Sequence, residues 1–246
     1  MPMAIAGPGT AESDWMAWKG WPGMPELSAS AIVRPGGKAV FVSPHPDDEV
    51  LGCGGMIVAL AVRGIEIVIL AVTDGEAAYP GPHGWPATRL ANVRRDELAE
   101  SLALLGVKAT IRTLSIADGA VARHEGALIQ ALARYTRPAD TMFSTWHRDG
   151  HPDHEATGRA CAHFAAVSGA RHVEVPIWAW HWAAPEDYRF PWDRARRYLL
   201  SPREQQRKRS ALAAFRSQIA PGFRLAPVLP PHILQRFTRS FETFFI

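Results

Sequence analysis

The segment AVFVSPHPDDEVLGCGG, residues 39–55, passes from an apolar run into a cluster of acidic residues and then into a second apolar run. The residues AVFVS are typical of a buried strand, whereas EVLGCGGMIVALAVRG, residues 49–64, predicts a helix that ends at Gly64. A buried strand followed at once by a helix is the opening half of a β-α-β unit. The segment therefore predicts an α/β fold in which the acidic residues lie at the end of a strand.

The same alternation of strand and helix continues to residue 219. Further strands are predicted at EIVILAVTDG (66–75), ATIRTLSI (109–116), DTMFSTW (140–146) and HVEVPIWAW (172–180). Further helices are predicted at residues 88–106, 125–138, 151–169 and 201–219. This alternation is typical of a Rossmann-like α/β fold, a mostly parallel sheet flanked by helices on both faces.

Composition indicates a folded cytoplasmic protein. Of the 246 residues, 47% are hydrophobic, which is enough to form a full core. The net charge of +3 is too small to indicate nucleic-acid binding, and the basic runs RARRY (194–198) and REQQRKR (203–209) are interpreted as a solvated helix face. Only Cys53 and Cys161 are present, which favours a reducing compartment. Neither a secretory leader nor a long apolar run is found, so we expect no membrane span.

The whole chain is predicted to form a single domain, residues 1–246. Within it we expect an irregular N-terminal arm (1–35), a catalytic core (about 36–220) and a C-terminal tail packed on the core (221–246). The Trp-rich segments GWP (84–86) and WAWHW (178–182) are interpreted as core rather than as a platform for a sugar.

Three polar clusters each follow a predicted strand: HPDDE (45–49), TDGE (73–76) and HRDGHPDH (147–154). Because ligands of open parallel sheets bind beyond the carboxyl ends of the strands, we expect these clusters to converge on one rim.

The residue types at this rim point to a metal. His45 and Asp48 are three residues apart, as are His151 and His154. Two histidines and one carboxylate, with positions left open for water, form either a hydrolytic zinc site or a non-haem iron site. Asp47, beside a ligand, is placed to take a proton from the activated water. The alternative, that Asp47 only caps the following helix, remains open on sequence alone.

In their order along residues 39–218, these motifs resemble those of the PIG-L/LmbE family of metal-dependent N-acetyl-sugar deacetylases. The resemblance includes the RRDE that opens a helix and the late helix that ends in SQ. It implies a zinc-dependent hydrolase that removes an N-acetyl or other N-acyl group from a glucosamine-containing sugar or glycoconjugate. Fe²⁺ or another divalent metal is left open, as is a homo-oligomer.

Position by position, the resemblance implies His45, Asp48 and His154 as metal ligands and Asp47 as general base. It also implies that His151 stabilises the oxyanion or acts as an acid, that Asp153 orients a histidine, that Arg94 contacts the sugar with support from Glu97, and that Asp74 and Glu76 lie near substrate hydroxyls. Asp74 in a simple turn, or Arg94 and Glu97 as a pair on the helix surface, are the alternatives.

Other functions remain open at this level. Asp149 stands where the mycothiol branch of the family has an aromatic residue, which argues against that substrate. A thiol-conjugate amidase would share the machinery. An iron oxygenase would carry its ligands on a β-barrel, which the β-α-β alternation disfavours, and an inactive binding module would not need Asp47. His147 and His181 are weaker candidates near the site, and His83 is interpreted as a packing or surface residue.

Overall fold

The computed structural model describes residue 5 and residues 7–81, 84–222 and 225–246, so His83 and its assignment lie outside the described residues. The strands are β1 (Ala39–Ser43), β2 (Ile67–Ala71), β3 (Ala109–Thr113), β4 (Thr141–Thr145), β5 (Arg171–Val175), β6 (Ala195–Leu199) and β7 (Phe241–Phe245). The helices are α1 (Glu12–Ala17), α2 (Ala29–Ile32), α3 (Asp48–Val62), α4 (Ala87–Leu105), α5 (Glu125–Tyr135), α6 (Pro152–Ser168), α7 (Ala179–Trp182), α8 (Pro202–Leu212), α9 (Arg216–Ile219) and α10 (Pro231–Leu234). Short 3₁₀ helices cover Trp21–Gly23, Val121–Arg123 and Gln235–Phe237.

The strands form one sheet in the order β3-β2-β1-β4-β5-β7-β6. The first five strands are parallel, and β7 runs antiparallel to both of its neighbours. The predicted Rossmann-like, mostly parallel sheet is therefore confirmed. Strand order reverses between β1 and β4, and the carboxyl ends of these strands are adjacent because Val42 pairs with Ser144. This is the switch point at which such sheets bind ligands.

Helices cover both faces of the sheet. Alternate residues of β1 point to opposite sides, so Phe41 joins one buried cluster while Val40 and Val42 join the other. The first cluster contains the apolar side chains of α3 and α8, and the second contains those of α5 and α6. No helix within the described ranges is long and apolar enough to cross a membrane.

Three predicted elements differ from the structure. The basic run RARRY is not a helix face: its residues 195–198 belong to β6, an edge strand that pairs with β7. WAWHW does not continue β5, which ends at Val175, because Pro176 has no N–H for the ladder and α7 begins at Ala179. The late helix is also divided, since α8 ends at Leu212 and a separate short helix, α9, follows.

The N-terminal segment is more ordered than predicted. It contains α1 and α2, and it buries Trp15 and Trp21 within the larger hydrophobic cluster. The guanidinium of Arg239 lies 4.6 Å from the ring centroid of Trp180 and pairs with Glu12 of α1. These contacts fix the segment to the last quarter of the chain.

A buried ion pair connects the C-terminal strand to α8, and the same carboxylate is hydrogen-bonded to α3, the helix that follows β1. The Glu242 carboxylate accepts hydrogen bonds from the backbone N–H groups of Gly55 (2.7 Å) and Met56 (2.9 Å) and from Lys208 Nζ (2.7 Å). Lys208→Met is expected to lower the free energy of unfolding by about 1.5–3 kcal/mol, because Glu242 loses a charged donor but keeps its two amides. Chemical denaturation checks this, and exposed Lys108→Met is the control, with an expected change below about 0.5 kcal/mol.

Candidate active site

The turn after β1 has an unusual backbone. Asp47 has φ 145° and ψ −30°, a region that costs a residue with a side chain about 1–3 kcal/mol. Glu49, the third acid of the cluster, holds this turn: its Oε2 accepts from the Asp47 N–H (3.3 Å) and from Ser43 Oγ (2.6 Å). Glu49, which belongs to the same motif, therefore stabilises the strained turn.

Three side-chain atoms that could bind a metal ion lie close together just beyond the ends of β1 and β4. His45 Nδ1 and His154 Nε2 are 3.2 Å apart, and each lies close to Asp48 Oδ2, at 3.3 Å and 3.2 Å. Ligand atoms around a tetrahedral zinc ion, with bonds of about 2.0–2.1 Å, are about 3.3 Å from one another. The separations of these three atoms therefore fit a divalent ion.

The outer nitrogens of both rings face carboxylates. His154 Nδ1 lies 2.7 Å from Asp149 Oδ2, while His45 Nε2 lies 3.1 Å from Asp118 Oδ1 and 3.5 Å from Asp153 Oδ2. Metal-binding histidines usually donate their second N–H to such a partner, which fixes the tautomer and the ring orientation. Both proposed ligands therefore carry the expected support.

His45 also belongs to two other groups of possible ligands. The first adds His151 and His154, but His151 Nδ1 already accepts from the Asp153 N–H. The second adds Asp118 and Asp153. Their carboxylates are already engaged, since Asp118 accepts from the Ala77 N–H and Asp153 from the N–H groups of Gly119 and Val121. We therefore favour the group with Asp48, in which the three atoms are evenly spaced.

The charges around the two rings favour a cation. Burial alone would lower the pKa of His45, but the surrounding carboxylates, Asp118 foremost, raise it well above its ordinary value. Burial likewise disfavours protonation of His154, yet Asp48 and Asp149 raise its pKa to about 9. Burial would raise the pKa of Asp48, but the two histidines lower it below its usual range. Positive charge at this point is thus stabilised.

Asp47 lies beside this group but makes different contacts. Its side chain forms no hydrogen bond to the amides of α3, so the alternative of a simple helix cap does not describe it. Its Oδ2 instead accepts from Arg94 Nη2 at 3.0 Å. Burial raises the pKa of Asp47 to about 7, although the charge of Arg94 works against this.

Arg94 is buried rather than on a helix surface. Its Nη1 donates to the Gly75 carbonyl and its Nη2 to the Pro46 carbonyl, both at 2.9 Å, in addition to Asp47. Glu97, predicted to support it, accepts instead from the N–H and hydroxyl of Ser217, both at 2.7 Å. Arg94 therefore holds the HPDD turn against the loop that follows β2.

Asp74 and Glu76 do not line the pocket at the site. Asp74 accepts from Arg95 Nε at 2.7 Å, and Glu76 Oε1 accepts from the Asp118 N–H at 2.9 Å. Both side chains therefore hold loops at the rim.

His151 lies at the start of α6, where its Nδ1 accepts from the Asp153 N–H at 3.3 Å. Its ring centroid is 4.9 Å from that of His45 and 4.7 Å from that of His154. Burial lowers the pKa of His151 to about 3. The ring is therefore neutral, with its proton on Nε2.

The sequence alone predicts no site role for Asp118, and it marks Asp149 only as a departure from the family pattern. The signal for Asp118 was present, because the pair Asp118-Gly119 follows a predicted strand as Asp74-Gly75 does. His147 lies outside the pocket and pairs with Glu174.

These residues open into one pocket of about 430 Å³. Its polar lining is His45, Asp47, Asp48, Arg94, Asp118, His151, Asp153 and Gln218. Its apolar lining includes Leu51, Ile177, Trp178, Val228, Leu229, Ile233 and Phe237. The volume falls within the ~300–1,000 Å³ range of small-molecule sites.

Asp149→Asn is expected to weaken metal binding by ~10–100-fold, because His154 loses the carboxylate that orients it. Competition against a chelator of known affinity measures this. Asp96→Asn, a change at an exposed position of α4, is the matched control and should bind metal as the wild type does. Equal affinities for all three proteins would contradict the support role of Asp149.

The sequence profile of a family described as "PIG-L: GlcNAc-PI de-N-acetylase" matches residues 40–165. This segment begins in β1 and ends in α6, so it includes every polar pocket residue named above except Gln218.

Curated relatives and solved structures are similar to the chain over comparable regions. A 1D-myo-inositol 2-acetamido-2-deoxy-alpha-D-glucopyranoside deacetylase from Corynebacterium diphtheriae is 29% identical over 170 residues, 58% of this chain and 56% of that protein. A diacetylchitobiose deacetylase from Thermococcus kodakarensis is 34% identical over 125 residues, 49% of this chain and 46% of that protein. The chain thus spans about half the length of these curated relatives. The structure of N,N'-diacetylchitobiose deacetylase from Pyrococcus horikoshii has a TM-score of 0.57 at 24% identity, covers 74% of this chain and 70% of its own, and shows the same fold.

Proposed function

The chain belongs to the PIG-L family, whose profile matches just over half of its length, and on that premise we propose that it is a metal-dependent N-deacylase. The reaction is hydrolysis of the amide that joins an acyl group to the amine of a glucosamine-containing sugar or glycoconjugate. The observation that carries this proposal is the triangle of His45, Asp48 and His154 donor atoms, with Asp47 beside it in an open pocket.

His45, Asp48 and His154 would hold the ion, and zinc is the first candidate because two nitrogens and one oxygen suit it. A divalent ion at this position would supply Lewis acidity to the amide carbonyl and lower the pKa of a water molecule. The rings of His45 and His154 are held in the orientation needed for metal binding by the carboxylates of Asp118, Asp149 and Asp153.

Asp47 is the proposed general base. It takes a proton from the attacking water as the water oxygen bonds to the carbonyl carbon. When the carbon–nitrogen bond breaks, the same proton passes to the leaving amine, so that a carboxylic acid and a free amino sugar are released. Arg94 contributes by fixing one oxygen of Asp47, which directs the carboxylate.

His151 is proposed to stabilise the negative charge that develops on the carbonyl oxygen. Its Nδ1 is occupied by the Asp153 N–H, so Nε2–H is the group free to donate towards the pocket. Because its ring is neutral, we favour this donor role over the alternative in which His151 acts as the acid.

Sugar recognition is assigned to the polar pocket lining. Gln218, near the end of the late helical region, and Arg94, whose Nε has no hydrogen-bond partner among the described residues, face the pocket. Asp74 and Glu76, which hold rim loops, are proposed to act on the substrate only indirectly.

Release of acetate and free amine from a panel of N-acetylated glycosides and thiol-sugar conjugates tests the proposal. Activity should disappear with a chelator and return with added zinc or iron. The thiol-sugar arm identifies a thiol-conjugate amidase. A metal-loaded protein that releases no acid from any member, or that consumes oxygen instead, would contradict the proposed function.

A further inference from the structure

The pocket has two chemically different sides. Apart from Leu51, Ala77, Ala78 and Pro152, the apolar side consists of six residues that we call the apolar wall: Ile177, Trp178, Val228, Leu229, Ile233 and Phe237. Four of the six are aliphatic, so the wall offers an irregular hydrocarbon surface more than a flat aromatic platform. A pyranose ring would leave hydroxyl groups unpaired against such a surface, which is unfavourable.

The apolar wall lies outside the part of the chain that carries the chemistry. All six residues follow position 165, where the match to the family profile ends, whereas the proposed ligands and base lie within it. The proposed ligands and base therefore come from the matched segment, whereas the apolar wall comes from the C-terminal third of the chain.

Hydrogen bonds hold the apolar wall in place in the absence of a ligand. The Leu229 N–H donates to the Gln218 carbonyl at 3.0 Å, which fixes the segment across from the polar side. Arg236 anchors the following turn, because its Nη2 donates to the carbonyls of Pro8 (3.0 Å) and Thr10 (2.8 Å). A preformed apolar surface binds a flexible chain without a cost of ordering the protein.

We infer that the apolar wall binds the hydrocarbon chain of an N-acyl group longer than acetyl, an inference that rests on the proposed function. The carbonyl carbon carries the sugar nitrogen on one side and the acyl chain on the other. With the sugar hydroxyls on the polar side, the chain extends towards the wall. An acetyl methyl would leave the exposed parts of Trp178 and Val228, the two half-buried residues of the wall, in contact with water.

A series of N-acyl glucosamines tests the inference: acetyl, butanoyl, hexanoyl and octanoyl, each assayed for release of free amine by the metal-loaded protein. Each buried methylene is expected to raise kcat/KM by about fourfold until the wall is filled. The gain should appear in KM, because the chain makes the same contacts in the ground state and the transition state.

A second series places the apolar chain elsewhere, as alkyl glycosides of N-acetylglucosamine with the same chain lengths. If kcat/KM rises with the glycoside chain and not with the acyl chain, the wall binds the aglycone and the inference is wrong. A flat response in both series, with acetate still released, would also overturn it while leaving the proposed function intact. Absence of any hydrolysis would instead count against the proposed function.

Val228→Asp places a charge on a partly buried position of the wall. It is expected to raise KM for the hexanoyl substrate at least tenfold more than KM for the acetyl substrate. Val167→Asp, at an exposed position near the far end of α6, is the matched control and should leave both values unchanged. Equal effects of Val228→Asp on the two substrates would show that the acyl chain does not reach the wall.

Discussion

Asp47→Asn is expected to lower kcat by ~10²–10⁴, the usual contribution of a general base, while the protein keeps about one metal ion per chain. The substitution preserves the shape of the side chain and its hydrogen bond to Arg94 but removes its basicity. The proposed ligands His45, Asp48 and His154 are unchanged, so metal affinity should not fall with activity.

Metal analysis and steady-state kinetics on the same preparation separate these two effects. Asp96→Asn, exposed on α4, is the control for loss of one carboxylate and should have wild-type turnover. Near-normal turnover of metal-loaded Asp47→Asn would exclude Asp47 as the base, and His151 would then be the next candidate. A loss of metal from Asp47→Asn would mean that Asp47 is a ligand.

The parts of the fold that sequence predicted are those with local patterns. AVFVS and the helix after it carry their own periodicity, and the same is true of each strand and helix as far as α6. β6 has no such signal, because Arg196 and Arg197 are typical of a solvated surface. Its strand conformation comes from pairing with β7, more than forty residues later in the chain. Local pattern cannot reveal a strand that depends on so distant a partner.

The same distinction applies to the site. The spacing in HPDDE and HPDH predicted residues that the structure brings within 3.3 Å of one another. The role of Asp149 depends on contacts with the loop after β5, since its carboxylate accepts from the N–H groups of Ile177, Trp178 and Ala179. Its partner His154 is five residues away, but the supporting loop is not visible in any motif.

The RRDE motif predicted that Arg94 lies near the site but did not predict its hydrogen-bond partners. RRDE placed an arginine near the site, and the structure has it there, buried in the pocket lining. Its hydrogen bonds go to Asp47 and to two carbonyls of the rim. Substitution of Arg94 should therefore affect kcat through the orientation of Asp47, in addition to any effect on sugar binding.

His154→Ala is expected to abolish stoichiometric metal binding and with it the hydrolysis of any substrate. Removal of one of the three proposed ligands from an open site affects the metal directly, so the loss should exceed the ~10–100-fold expected for an outer partner such as Asp149. The fold is expected to survive, because Asp149 keeps its three backbone donors when the imidazole is gone.

The matched control is His147→Ala. His147 is in the same loop after β4 but pairs with Glu174 and does not line the pocket. Metal analysis of the two purified variants, with circular dichroism to verify folding, should show near-zero metal in His154→Ala and wild-type metal in His147→Ala. Retention of metal by folded His154→Ala would remove His154 from the ligand group. Loss of metal from His147→Ala alone would move the centre towards Glu174, because a metal there would need that carboxylate as its second ligand.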